Sequence, residues 1–191
     1  SFLKKKQEVN IMSTYINFIP INIAVVTISD TRVLDNDKSG DVLEKRVLES
    51  NHKIISREIV KDDFDKISQL FQNLINNKKI DVIISTGGTG LTGRDITPEV
   101  MKTLFDKTID GFGEMFRWLS YSKIGTSALQ SRALAGVSNG TYIFCLPGSP
   151  SACRDGWDQI LIHQLDIRHK PCNFVEIMPR LLEHKLSRKK N

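Results

Sequence analysis

Residues 84–99 read ISTGGTGLTGRDITPE, and the reading of Ile84–Glu99 decides the fold. The apolar run Ile80–Ile84 that leads in is a short strand. Thr97-Pro98 leads out into a helix, because threonine is a good N-cap and proline is favoured at the first helical position. Between them lie Gly87, Gly88, Gly90 and Gly93. A glycine-rich connection from strand to helix is how a parallel α/β sheet presents backbone N–H groups to an anion. Ordinary connections of this type run to about 2–6 residues. This one is longer, which favours a ligand loop over a plain turn.

The same alternation extends in both directions. Ile21–Ile28 is apolar, β-branched and nearly continuous, the pattern of a buried parallel strand. A polar loop, Asp30–Lys38, precedes a helix in which Val42, Leu43, Val47 and Leu48 recur at helical spacing, with Ser39 as its candidate cap. Ile54–Val60 predicts a second strand, and Ile67, Leu70, Phe71 and Leu74 a second helix. Beyond Thr97 a mostly helical stretch is expected to about Tyr121, then a short helix around Ser127–Arg132. Ala133–Val137 and Tyr142–Leu146, joined by Asn139-Gly140, predict a hairpin. Ser149-Pro150 repeats the cap-plus-proline signal and opens a helix to about Ile167. The whole is an α/β protein: a three-layer α/β/α sandwich with a mostly parallel central sheet.

Bulk properties exclude several classes. A chain of 191 residues supports one well-buried domain. The net charge of +5 is a property of the ends: residues 1–14 carry +2 and residues 180–191 carry +4, leaving −1 for residues 15–179. Basic tails are usually solvated chain, so a folded nucleic-acid surface is not expected. Three cysteines without CxxC spacing argue against a disulfide framework or zinc site and for a reducing compartment. No apolar run approaches the roughly 18 residues of a membrane span. Lys4–Lys6 are not followed by a signal-type stretch. A cytoplasmic protein without membrane partners is the expectation.

The glycine loop fits two nucleotide motifs literally and neither in context. Gly88-x-Gly90-x-x-Gly93 matches the dinucleotide fingerprint, yet it follows the third strand rather than the first. Gly88 and Gly93 also fit the start of a P-loop, but Arg94-Asp95 stands where Lys-Ser/Thr is required. Asp95 would repel a phosphate unless a cation lay between them, and carboxylates that hold Mg²⁺ against substrate phosphates meet that need. Asp95 read alone is equally a helix-start acid that complements the dipole. Asp62 leaves the second strand at the same sheet edge; read alone it is more often a helix cap. Together with the glycines the two acids suit metal-assisted chemistry at phosphorus. Leu146-Pro-Gly-Ser-Pro150 supplies the Gly148 amide and Ser149 hydroxyl at a third strand exit, either as a second anion site or as a capped turn.

Nothing else competes. His52, His163, His169 and His184 lie outside these loops, with no ligand spacing around them. Cys145 sits in an apparent buried strand and is a packing residue. Phe112, Met115, Phe116 and Trp118 form an apolar helical stripe, for the core or a subunit contact.

Ser85-Thr-Gly-Gly-Thr-Gly90 followed by Arg94-Asp-Ile-Thr-Pro-Glu99 resembles the signature of the MoaB/Mog family of molybdenum cofactor biosynthesis. Val26-Thr-Ile-Ser-Asp30, Asp37-Lys-Ser-Gly40, Gly111-Phe-Gly-Glu114, Gln130-Ser-Arg132 and Leu146–Pro150 extend the match. It covers about residues 18–175, leaving 1–17 as an N-terminal extension and 176–191 as a basic tail. The resemblance implies a molybdopterin-binding domain whose active members use Mg-ATP to adenylylate the substrate's terminal phosphate and release pyrophosphate. It implies catalytic and Mg²⁺-binding roles for Asp62 and Asp95. It also implies substrate or nucleotide binding by Gly87, Gly88, Thr89, Gly90 and Arg94, by Pro147, Gly148 and Ser149, and by Ser29, Asp30, Asp37 and Ser39 after the first strand. Gly125–Gly136 and His169–Phe174 look more like the MoaB branch. Some members of that branch bind pterin without catalysis, so a non-catalytic carrier or scaffold is the alternative. The intact Arg-Asp-x-Thr-Pro pattern favours an enzyme. The branch also implies a homohexamer of two trimers, with a homotrimer as second choice, and other enzymes of the cofactor pathway as further partners.

Overall fold

The structure, a computed structural model, describes residues 16–187. Lys4–Lys6 and Arg188–Lys190, and with them most of the expected N-terminal extension, lie outside the described residues.

Three buried apolar runs and one half-exposed edge strand form the parallel part of the sheet: buried β1 (Asn22–Ile28), β3 (Val82–Thr86) and β6 (Thr141–Leu146), with β2 (Lys53–Val60) at the edge. With β4 (Lys107–Thr108) and β5 (Leu134–Ser138) the order is β2-β1-β3-β6-β5-β4. The pairings β1·β2, β1·β3 and β3·β6 are parallel, while β5·β6 and β4·β5 are antiparallel. Strand side chains alternate between faces, and the two cores divide accordingly. Ile23, Val25, Val82, Ile84, Tyr142 and Phe144 face one core. Ala24, Val26, Ile83, Ile143 and Cys145 face the other. Helices α1 (Lys38–Glu49), α4 (Asp110–Ile124) and α5 (Pro150–Gly156) cover the first face; α2 (Phe64–Asn76) and α3 (Thr97–Leu104) cover the second. This is the three-layer α/β/α arrangement expected from the alternation of elements. Met178 and Leu181, after residue 175, also pack against the first core.

The single helical stretch expected from Thr97 to Tyr121 is broken in two. Phe105 leaves the helix in an extended conformation, and the Asp106 and Ile109 amides donate to the Val137 and Ala135 carbonyls. Gly136 makes room for this: a Cβ there would lie 2.4 Å from the Phe105 ring. Two caps also differ from expectation. Asp37, not Ser39, caps α1, accepting from the Gly40 amide at 3.0 Å. Thr97 lies inside α3 and donates its hydroxyl to the Gly87 carbonyl at 3.0 Å, fastening the helix to the glycine loop.

β1 pairs with β2 on one side and β3 on the other, so the chain reverses its winding between β1 and β3. Ligands of open α/β sheets bind outside the strands' carboxyl ends at such a reversal. The loops after β1, β2, β3 and β6 all emerge there.

Candidate functional site

A cavity of about 840 Å³ opens at that edge. Its floor is the glycine loop. Gly87 has φ +108° and Gly88 φ +66°, conformations that side-chain-bearing residues rarely adopt. A Cβ at Gly87 would lie 2.1 Å from the Ile28 carbonyl oxygen, so β1 and this loop approach too closely for any other residue. The Thr97 amide donates to the Gly88 carbonyl at 3.0 Å and the Gly87 amide to Leu146 at 3.0 Å. The loop is therefore anchored to β1, β6 and α3 at once.

The two aspartates reach the site by different routes. Asp62 is released because its neighbour does the capping: Asp63 accepts the Lys66 amide at 2.9 Å as the N-cap of α2. Burial, with the charges of Asp30 and Asp95, pushes the Asp62 carboxyl above the ordinary aspartate range, against the pull of Arg94. Asp95 closes a turn, accepting the Thr92 amide at 2.8 Å and the Thr92 hydroxyl at 2.7 Å. Burial raises its carboxyl, but these bonds and one from the Gly90 amide outweigh it and hold it below the ordinary range. Both acids line the cavity.

Two arginines hold the frame: Arg132, which ends the Gln130-Ser-Arg132 motif but carries no implied role there, and Arg32, which no motif singles out. Arg132 donates from Nε to the Gly90 carbonyl and from Nη2 to the Asp95 carbonyl, both at 2.7 Å, and pairs with Glu99. It thereby fixes both ends of the turn that carries Asp95. Arg32 lines the cavity, donates to the Gly148 carbonyl at 2.7 Å and to the Ser39 hydroxyl, and lies 3.5 Å from Asp37. Asp37 is fully buried. Burial alone would raise its carboxyl, but bonds from Thr27 and the Gly40 amide and the Arg57 guanidinium bring it below the usual range.

Of the residues expected at the site, Ser29, Asp62, Gly87, Gly88, Thr89, Gly90, Arg94, Asp95, Pro147, Gly148 and Ser149 line this one cavity. Asp30 sits beside it, paired with Arg94 across the gap between two loops. Asp37 and Ser39 do not reach the cavity; they stand behind Arg32. Ser149 caps α5 as expected, accepting the Ala152 amide at 3.2 Å. Helices α4 and α5 close the far side with Phe116, Ser120, Lys123, Ile124, Ser151 and Asp155, none of which the motifs indicated.

Among the described residues no group of three or more His, Cys, Asp or Glu could hold a metal ion. Asp62 and Asp95 form a two-carboxylate set, which fits Mg²⁺, an ion that keeps several waters and takes the rest of its ligands from substrate phosphates. Burial first, and then the charges of Asp30 and Asp95, disfavour the ionised form of Asp62. Cys145 and Cys153 are buried, their thiols pushed up by burial to about 12 and about 11, which disfavours the thiolate a nucleophile needs. No helix among the described residues is long and apolar enough to cross a membrane.

The three-layer sheet is shared with known proteins. Residues 24–167 match the model of a family described as "Probable molybdopterin binding domain". This chain belongs to that family. A molybdenum cofactor biosynthesis protein B of Escherichia coli K12 is 46% identical to this family member over 157 residues, 82% of this chain and 92% of the relative. A crystal structure of a molybdenum cofactor biosynthesis protein B superposes with a TM-score of 0.78 at 38% identity, covering 86% and 98% of the two chains. The tungsten cofactor synthesizing protein MoaB of Pyrococcus furiosus gives a TM-score of 0.65 at 31% identity, with 90% and 98% covered. The MoaB/Mog resemblance read from the motifs is thus the family relationship found.

Proposed function

We infer that this protein acts in molybdenum cofactor biosynthesis, binding molybdopterin and adenylylating its terminal phosphate with Mg-ATP. The observation that carries this reading is the release of Asp62 from helix capping, which brings a second carboxylate to the glycine cradle beside Asp95. A phosphate oxygen of molybdopterin attacks the α-phosphorus of ATP. A new O–P bond forms, the bond to the β-phosphate oxygen breaks, and pyrophosphate departs with its electron pair. The nucleophile is already ionised near neutral pH, in keeping with a cavity whose lining includes no histidine.

The chain's contribution is positioning and charge. The Gly88 and Thr89 amides would face the phosphoryl oxygens, those of Gly87 and Gly90 being bonded to Leu146 and Asp95, and Arg94 can exchange Asp30 for a phosphate. Ser149 and the Gly148 amide offer a second anion subsite, held beside the first by the Gly87 amide bond to Leu146 and the Thr86 hydroxyl bond to Pro147. Asp62 and Asp95 would hold Mg²⁺, which supplies charge neutralisation between the carboxylates and the phosphates. The exposed apolar side chains Met115, Trp118, Tyr121 and Leu129 support self-association, as a homohexamer of two trimers or, second, a homotrimer.

The test is molybdopterin-dependent pyrophosphate release from ATP. Asp95→Asn is expected to abolish turnover while pterin binding persists. Retained turnover would refute the role given to Asp95. Pterin binding by the unaltered chain without pyrophosphate release would instead establish the non-catalytic carrier.

A further inference from the structure

The far end of the cavity differs chemically from the loop end. Lys123 on α4 follows Phe116 and Ser120 at helical spacing, and all three line the cavity. Asp155 on α5 shares a helix face with Ser151 and Ala152, again all in the lining. Lys123 Nζ donates to Asp155 Oδ1 across the space between the helices. The lysine side chain is 52% exposed and the aspartate 19%, so the carboxylate is the more enclosed of the two. Asp155 has one further contact, from Gln159 Nε2 at 3.5 Å, too long to contribute much. Phe116, Ile124 and Ala152 supply apolar surface beside the pair.

An enclosed carboxylate next to a more exposed ammonium, flanked by apolar walls, is complementary to one heterocyclic edge. A 2-amino-4-oxopyrimidine presents two adjacent donors, N3–H and the 2-amino group, followed by an acceptor at O4. A carboxylate accepts both donors in bidentate fashion, and an ammonium donates to the oxo group. Adenine presents a donor at N6 beside an acceptor at N1, which would face the carboxylate unfavourably. Of the three carboxylates in the lining, Asp62 and Asp95 belong to the loop end, leaving Asp155 for the ring.

We propose that Asp155, with Lys123 beside it, recognises the pterin edge of the substrate and sets the selectivity of the far subsite. This assignment rests on the molybdopterin reading above. In the ligand-free chain each of the pair occupies the other's bonding groups. Parting them costs little, because an ion pair this exposed contributes little. The ring then takes over both partners.

Fluorescence titration of the full chain with 6-hydroxymethylpterin, and with 6-hydroxymethyllumazine, which carries an oxo group in place of the 2-amino group, tests this. The unaltered chain is expected to prefer the pterin by about tenfold or more, the value of a charge-assisted pair of bonds. Asp155→Ala should abolish that preference, and the near-isosteric Asp155→Asn should reduce it sharply, with melting temperatures confirming that both fold. Lys123→Met should keep the preference, since the carboxylate remains; its loss there would make Asp155 a mere partner of Lys123 and overturn the proposal. Unchanged pterin preference in Asp155→Ala would overturn it and leave the molybdopterin reading intact. Weakened ATP binding with unchanged pterin binding would assign the far end to adenine, also overturning it. If the unaltered chain binds neither ring, the molybdopterin reading fails and this assignment falls with it.

Discussion

Replacing Arg132 by methionine separates a frame residue from the residues it holds. The guanidinium satisfies the Gly90 and Asp95 carbonyls and pairs with Glu99, so three acceptors lose one donor group together. A hydrogen bond to a charged group contributes about 1.5–3 kcal/mol when dry, but water reaches this half-exposed loop, so about 2 kcal/mol in total is a fair value. Methionine keeps much of the side chain's bulk, so the loss is of bonds rather than of packing. A change of that size opens the loop roughly thirtyfold more often, at about 1.4 kcal/mol per factor of ten. Hydrogen exchange is the direct assay. The amides of Asp95 and Thr97, bonded within the loop to Thr92 and Gly88, should lose protection by about that factor, while β1 and β3 keep theirs. Pyrophosphate release should fall about a hundredfold, since a 1 Å displacement of a positioning group costs that much. Arg132→Lys should rescue neither, because one ammonium cannot serve three separated acceptors. Unchanged exchange at residues 88–97, or full rescue by lysine, would refute the framing role of Arg132.

Gly87→Ala should be severe, because the added Cβ meets the backbone oxygen of Ile28 at 2.1 Å and neither strand nor loop can yield cheaply; a loss of about 3 kcal/mol or more is expected from strain plus clash, measured by urea unfolding. His52 accepts the Ile21 amide at 3.2 Å and is buried, and burial pushes its imidazole down from 6.5 to about 4. Below pH 6.5 the unfolded chain takes a proton that the folded chain refuses. Stability should therefore fall as pH drops from 6.5 toward 4, by about 3 kcal/mol over that window, and a His52→Phe chain should lack this slope. Trp118 is 73% exposed on α4 beside Met115 and Tyr121, so Trp118→Lys should dissociate the proposed oligomer in sedimentation experiments; a monomeric unaltered chain would refute the association.

Periodicity made most of the layer plan legible, because β1, β3 and β6 are buried on both faces and the helices carry one apolar stripe. It did not show the break at Phe105. Leu104 and Phe105 continue the helical pattern without a proline or glycine, and the pocket that receives the ring is made by Gly136 from a different strand. Motif reading found the loop residues, since their function depends on neighbours in sequence. It could not choose between Asp62 and Asp63 as the cap of α2, because adjacent aspartates satisfy the same local rule; only the fold shows that Asp63 takes the Lys66 amide. Arg32 was invisible for a similar reason. Its partner Gly148 lies 116 residues away, a separation that no local pattern encodes. Asp37 and Ser39 were read as ligand contacts because they follow Ser29 in the loop after the first strand, whereas they stand one layer behind, beside Arg32.

The charge of the cavity wall leads to a last prediction. Asp62, Asp95 and Asp155 face Arg32, Arg94 and Lys123, three charges against three. The cations are already engaged with Ser39 and Gly148, with Asp30, and with Asp155. A wall so nearly neutral has little net field to draw a polyphosphate, and its two loop acids would repel one. Amides of the glycine loop offset part of this, but they cannot neutralise Asp62 and Asp95. Even one uncompensated contact between unit charges about 5 Å apart costs about 1–3 kcal/mol at effective dielectrics between those of water and a protein surface. ATP should therefore bind at least about tenfold more weakly when EDTA removes Mg²⁺. In Asp62→Asn/Asp95→Asn that dependence should shrink, because the repulsion is gone whether or not a cation is present. Calorimetric titration of ATP with and without EDTA measures both. Equal affinities in the unaltered chain would show that the carboxylates do not face the phosphates, and the reading of Asp62 and Asp95 as a shared cation site would fail.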